Sequence, residues 1–164
     1  MMVFREWIAA ENINDLFLKH QVPPEFDILS IDIDYNDFWV WNAIDQDRYK
    51  PRVVIVEYNA HIPPLEARTV PYNATGTWDG KTRYFGAGIG AFNVLAQKRG
   101  YSLVYCESHG VNCFFVRNDA LGLNIGLYMD IEVVHRPPNF FGMGWKYPER
   151  DTNETDPWIW VMEM

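Results

Sequence analysis

Six polar residues could do chemistry, and they fall into two groups. Asp32, Asp34 and Asp37 lie close together, and Glu57, Asn59 and His61 recur at every second position. Each group directly follows an apolar stretch, Phe26-Asp27-Ile28-Leu29-Ser30-Ile31 in one case and Val53-Val54-Ile55-Val56 in the other. In open α/β sheets ligands gather outside the carboxyl ends of the strands. Clustered carboxylates with an amide oxygen suit a hard divalent ion such as Mg²⁺. That makes Asp32, Asp34, Glu57 and Asn59 candidate metal ligands. Asp32 and Glu57, at the ends of apolar strands, are candidate catalytic groups, with His61 as a candidate base beside them. The competing reading is that Asp34 and Asp37 cap a following helix and favour its positive end, and that His61 is an ordinary loop histidine.

For these groups to meet, the chain must place two strands side by side. Residues 26–31 read as a buried strand. Residues 37–45 read as a helix with Trp39, Val40 and Ala43 inward. Residues 52–58 form the strongest strand, and its continuous β-branched run predicts burial on both faces. Strand, helix and strand in this span make a βαβ unit with parallel strands and a right-handed crossover, the strands ~4.8 Å apart.

Around this unit, residues 11–20 read as a helix capped by Asn12 or Asn14, with Ile13, Leu16 and Phe17 on one stripe. Pro23-Pro24 follows its end. Residues 59–83 form a long, mostly polar connection without structure of its own, of the kind that is often functional. A helix is predicted over 87–99, with Phe92, Leu95 and Ala96 inward and Gly100 as its stop. Residues 101–106 and 113–116 should form an antiparallel hairpin at the sheet edge. Residues 1–119 make one α/β domain and 120–164 a weakly patterned C-terminal extension. Trp158 and Trp160 alternate as on a strand and would dock on the body or on another chain.

Composition narrows the classes. The chain has 164 residues, 48% of them hydrophobic and 16% aromatic, which is a globular composition with enough length for a core. A net charge of −8 with no basic run argues against a nucleic-acid partner. No segment approaches the ~20 apolar residues of a membrane helix. Arg5 and Glu6 interrupt any signal-peptide core, so the expected location is cytoplasmic. Cys106 and Cys113 are too few for a disulfide framework. They could face each other across the hairpin, or be two reduced core thiols.

Gly86-Ala87-Gly88-Ile89-Gly90, with Glu107 some twenty residues on, mimics a nucleotide-binding fingerprint. That fingerprint needs an apolar strand just before the glycines. The stretch from Thr77 to Tyr84 is polar and broken, so the expectation is a helix start packed closely against the sheet.

The order strand, helix, strand, long loop, helix, antiparallel hairpin resembles the second half of the class I S-adenosylmethionine-dependent methyltransferase fold. The four strands would be its strands four to seven, in spatial order 4-5-7-6. Within that class, Phe26 to Asp37, then Val53 to Asn59, Tyr84-Phe85-Gly86-Ala87 opening a helix, Gly100-Tyr101 and the strand from Asn112 to Val116 resemble FkbM-type methyltransferases. The likeness covers roughly residues 11–119. It implies a Rossmann-like methyltransferase half-sheet, mostly parallel, and an O-methyltransferase that uses S-adenosylmethionine on a small-molecule or glycan acceptor. It also implies, as in some members of this fold, Mg²⁺ at the two strand ends acidifying a substrate hydroxyl. Two departures stand out. The family has Gly where this chain has Tyr35, which predicts backbone strain there. The donor-binding signature of the family should precede residue 11, where there is no room for it, so the expectation is a chain truncated before its donor half. The alternative is a non-catalytic remnant that self-associates. An apolar strand at 26–31, normally central, would become an exposed edge and pair with a second copy as a homodimer.

Overall fold

The computed structural model describes residues 2–122, 129–139 and 156–161. In chain order the main elements are α1 (Ile13–Lys19), β1 (Ile28–Ile31), α2 (Asp37–Ala43), β2 (Val53–Glu57), β3 (Arg68–Thr69) and α3 (Ile89–Lys98). They are followed by β4 (Tyr101–Cys106), β5 (Asn112–Arg117), α4 (Ile131–Val134) and β6 (Ile159–Trp160).

The protein is mixed α/β with an open four-stranded sheet in the order β1-β2-β5-β4. β1 and β2 are parallel, with Ile28 opposite Val53 and Ile31 opposite Val56. β5 runs antiparallel to both β2 and β4. β1, β2 and β4 therefore point one way, and the hairpin folds back so that its second strand enters between β2 and β4. This is the order that the resemblance implies, whereas the residues alone predict only a hairpin at the sheet edge. A second, two-stranded sheet pairs β3 with β6.

The helices α2 and α3 cover one face of the main sheet. Ile31, Val54, Val56, Leu103, Cys113 and Phe115 point into this layer and meet Phe38, Trp41 and Phe92. Trp41 is the centre of it, with its ring 5.2 Å from Phe115 and 6.1 Å from Phe92. Burying each such side chain contributes roughly 1.5–3 kcal/mol. The opposite face is different, and here the expected burial of β2 on both faces fails. Val53, Ile55, Phe114 and Val116 are only half-buried, while Ile28, Ser30 and Tyr105 are exposed. A β-branched run signals strand propensity, and two-sided burial needs a second covering layer as well.

Local details also depart from expectation. In α2 the inward residues are Phe38, Val40 and Trp41, whereas Trp39 is half-buried and donates its indole N–H to the Val70 carbonyl at 2.8 Å. Asn12 occupies the N-cap of α1 but makes no side-chain cap bond there. Its Oδ1 instead accepts from Ala9 N–H, and Asn14 clamps α1 to the end of α2 by donating to the Ala43 carbonyl. Gly100 does end α3, at φ 76°, as a left-handed residue after a helix should.

The 59–83 connection is more ordered than predicted. It contains β3, and Ile62, Ala67, Thr69 and Val70 are buried. The described parts of the C-terminal extension pack on the body: Val134 and Val161 belong to the core, and Trp158 lies under the Arg68 guanidinium and against Tyr84. Residues 123–128, 140–155 and 162–164, within the same predicted extension, lie outside the described residues.

Candidate functional site

The carboxylates gather at the carboxyl ends of β1 and β2. Asp32 and Asp34 follow β1 on the surface, Asp37 opens α2, and Glu57 closes β2. The turn between β1 and α2 is tight: Tyr35 N–H donates to the Ile33 carbonyl at 2.9 Å, and Asp34 between them has φ 67°. A three-residue turn with a positive central φ is rare and strained. Asp tolerates that region better than most residues, because its short side chain bonds locally. Strain was expected at Tyr35. Among the described residues only Gln21 and Asp34 are non-glycine residues with positive φ, so the strain sits one residue earlier.

Asp37 is the most buried acid of the group, 1% exposed. Its Oδ1 accepts the Ile33 N–H at 3.0 Å, while Oδ2 is buried without a hydrogen-bond partner. Asp37 is therefore not a helix cap. Asn36 holds the N-cap position, again without a side-chain cap bond, and its amide instead donates to the Asn73 carbonyl at 2.6 Å. This ties the β1–α2 turn to the 59–83 connection.

Burial dominates the electrostatics. Desolvation, assisted by the charges of Asp32 and Asp34, pushes Asp37 up to about 7 against two opposing backbone hydrogen bonds. Glu57 is pushed up to about 8, first by desolvation and then by the charges of Asp37, Asp32 and Asp34, although Asp34 N–H donates to it. Asp32 is raised by partial burial and by Asp34. Among the described residues none of the four has an ion-pair partner. Beside Asp34, the one acid of the four on its wall, a cleft of about 260 Å³ opens, lined by Trp7, Ile8, Ile33, Asn36 and Thr77 among others. Neither Trp7 nor the 76–77 segment announced itself in sequence, because both come to the site from elsewhere in the chain.

Asn59 does not join the acids as a ligand. Asn59 is fully buried, and its amide donates to the Arg83 and Phe85 carbonyls at 2.8 and 2.9 Å. Its Oδ1 accepts the His61 N–H at 3.1 Å. The first two bonds hold the 59–62 turn to the segment entering α3, and the third closes the turn on itself. His61 sits half-buried on that turn. With the Asn59 amide committed to this latch, the donor set expected for Mg²⁺ loses its amide member. Among the described residues no group of three His, Cys, Asp or Glu side chains is placed to hold a metal ion. The expected set of Asp32, Asp34, Glu57 and Asn59 does not fit one.

The glycine run is closed against its own chain. A Cβ on Gly88 would meet Ile62 Cγ2 at 2.7 Å, and one on Gly90 would meet the Pro64 carbonyl oxygen at 2.8 Å. Gly86 gives its carbonyl to Val70 N–H and Thr69 Oγ1, and Gly88 N–H donates to the Arg68 carbonyl. The small side chains there admit the 62–66 backbone, which stands where a phosphate would have to approach. Glu107, the other half of the mimicked fingerprint, anchors the β4–β5 turn instead, accepting from Val111 N–H at 2.6 Å and His109 N–H at 2.8 Å. The Gly86–Gly90 run and Glu107 are thus taken up by contacts within the chain.

Compared with known proteins, the chain matches no family model, and it finds no significant match among curated proteins or solved structures.

Proposed function

We propose that this chain forms the acceptor side of an S-adenosylmethionine-dependent O-methyltransferase-type fold acting on a hydroxyl of a small molecule or glycan, with Glu57 taking the hydroxyl proton. The observation that carries this reading is the pair of desolvated carboxyls, Glu57 at about 8 and Asp37 at about 7, without counter-ions at the carboxyl ends of two parallel strands. Carboxyls this costly to keep buried mark functional sites more often than surface acids do. A base whose conjugate acid titrates near the working pH exchanges protons efficiently. Asp32 and Asp34 on the rim raise the basicity of Glu57 through their charge. The neighbouring cleft, with Trp7 on its wall, is large enough for a single ring-sized acceptor.

The donor, when bound, supplies the electrophilic methyl group. We assign it to another segment or subunit, a reading supported by the closure of the Gly86–Gly90 run against the 62–66 segment. The test is calorimetric titration of S-adenosylmethionine into the purified chain, with and without Mg²⁺, followed by methyl-transfer assays on hydroxylated acceptors. Micromolar binding locates a donor site within the chain, and no heat rules out autonomous activity. Transfer that survives Glu57→Gln overturns the assignment of the base.

A second reading, self-association without catalysis, is favoured by β1. Among the described residues this edge strand pairs on one side only, and Ile28 on it is 60% exposed. Such an edge recruits another strand, which would make a homodimer through residues 26–31. Light scattering at high concentration separates the readings, since a monodisperse monomer counts against it.

A further inference from the structure

Away from the carboxylates, the hairpin sets its two cysteines face to face. Cys106 of β4 and Cys113 of β5 are register partners, with sulfurs 2.7 Å apart. Both are free and buried, 1% and 0% exposed. The next pair toward the turn, Glu107 and Asn112, is hydrogen-bonded, Glu107 N–H donating to the Asn112 carbonyl at 3.0 Å. By the alternation of an antiparallel ladder, the cysteines then occupy a non-hydrogen-bonded position, where opposed Cα atoms approach to ~4.5 Å. That lies inside the window of ~4.4–6.8 Å that a disulfide spans without moving the backbone.

The pair also has a cover. The 136–137 backbone rests on the hairpin turn, with the Arg136 and Pro137 carbonyl oxygens 2.8 Å from where a Cβ on Gly110 would stand. Asn139 N–H donates to the His109 carbonyl at 2.8 Å, and the buried Tyr58 hydroxyl donates to the Arg136 carbonyl at 2.7 Å. With both cysteines buried, a small oxidant needs this cover to lift before it meets the sulfurs.

We propose that Cys106 and Cys113 are a reversible dithiol–disulfide site, oxidised by low-molecular-weight disulfides such as glutathione disulfide. In the first step one cysteine, as thiolate, attacks a sulfur of glutathione disulfide, forming a mixed disulfide and expelling one glutathione thiolate. In the second the other cysteine, losing its proton, attacks the bound protein sulfur and expels the second. Two protein thiols are oxidised, one small disulfide is reduced to two thiols, and two protons pass to them or to solvent. The product pins β4 to β5 beneath the strap.

The test uses the full chain, equilibrated in glutathione buffers of graded ratio until the species stop changing. Samples are then acid-quenched, denatured, alkylated with N-ethylmaleimide and weighed intact. The expected result is one two-electron transition between a doubly alkylated chain and an unalkylated monomer lighter by two hydrogens, restored by dithiothreitol. Cys106→Ala and Cys113→Ala should each abolish the unalkylated monomer. A stable glutathione adduct as the main oxidised product, disulfide-linked dimers, or full alkylation at the most oxidising ratio would each overturn the proposal.

Discussion

The two ends of the central sheet carry opposite charges and treat them in opposite ways. At the amino ends of β1, β2 and β4, Tyr49, Lys50, Lys98, Arg99 and Arg117, with Asp47 as the one acid on the wall, line a cavity of about 290 Å³. The arginines there are bonded: Arg99 donates to the Ile44 and Asn42 carbonyls, and Arg117 to Asp119 and the Lys50 carbonyl. Tyr101 likewise donates to the Pro51 carbonyl. These groups cap the exposed carbonyls where α2 and the loops end, which is a structural task. At the carboxyl ends, Asp37 and Glu57 are more deeply buried and less well served. Charges that support a fold are paired, whereas charges held without partners cost stability and imply another use.

The largest expected effect is on the scaffold of the acidic end. Asn59→Ala removes three hydrogen bonds, one buried and two partly buried, and leaves two carbonyls and an N–H without this partner, so it should cost roughly 3 kcal/mol. Urea denaturation measures this, and a loss below about 1 kcal/mol would show that the latch is not what holds the 59–62 turn.

Next come the acids themselves. In the folded state Glu57 and Asp37 keep protons that the unfolded chain releases above its ordinary carboxylate range. Folded molecules therefore bind more protons there, and stability falls as pH rises from about 4.5 through about 8 for Glu57 and from 3.8 through about 7 for Asp37. Glu57→Gln and Asp37→Asn should flatten that decline. Each should stabilise the protein by on the order of 2 kcal/mol at pH 9 and change little at pH 4. Melting temperatures across that range decide it, and parallel wild-type and variant curves would mean the acids are not desolvated.

Smaller effects test the basic end and the edge. Arg99→Met should cost about 1–2 kcal/mol by uncapping the Asn42 and Ile44 carbonyls, with little dependence on pH between 4 and 9. Ile28→Lys should shift stability by less than about 0.5 kcal/mol, because the side chain is exposed. If the β1 edge mediates self-association, the same variant converts dimer to monomer in light scattering.

Much of this architecture could be read from the residues. The β-branched stretch at 53–57, the glycine after α3 and the two short hairpin strands imply a parallel pair and an antiparallel hairpin, and the spacing of Asp32, Asp34, Asp37 and Glu57 implies convergence at strand ends. What could not be read depends on contacts between distant residues. Asn59 looks like a ligand until the Arg83 and Phe85 carbonyls arrive beside it, and the glycines at 86–90 look like a phosphate loop until the 62–66 backbone presses on them. Asp37 reads as a helix cap because its place in the first turn is local information, whereas its burial is set by the layers above and below. β3 was missed because two residues carry no period.

The entry of β5 between β2 and β4 also constrains how the molecule assembles. β4 and β5 are close in sequence and can pair through a short loop, on the timescale of a hairpin. Docking β5 onto β2 requires closing a much longer stretch that includes the 59–83 connection and α3, and such closures are slow. The hairpin is thus the natural early unit, and the βαβ half is recruited to its free side. Until that happens both edges of the hairpin are bare, so mutations that weaken β2 should slow folding and expose the chain to aggregation even where native stability is barely changed.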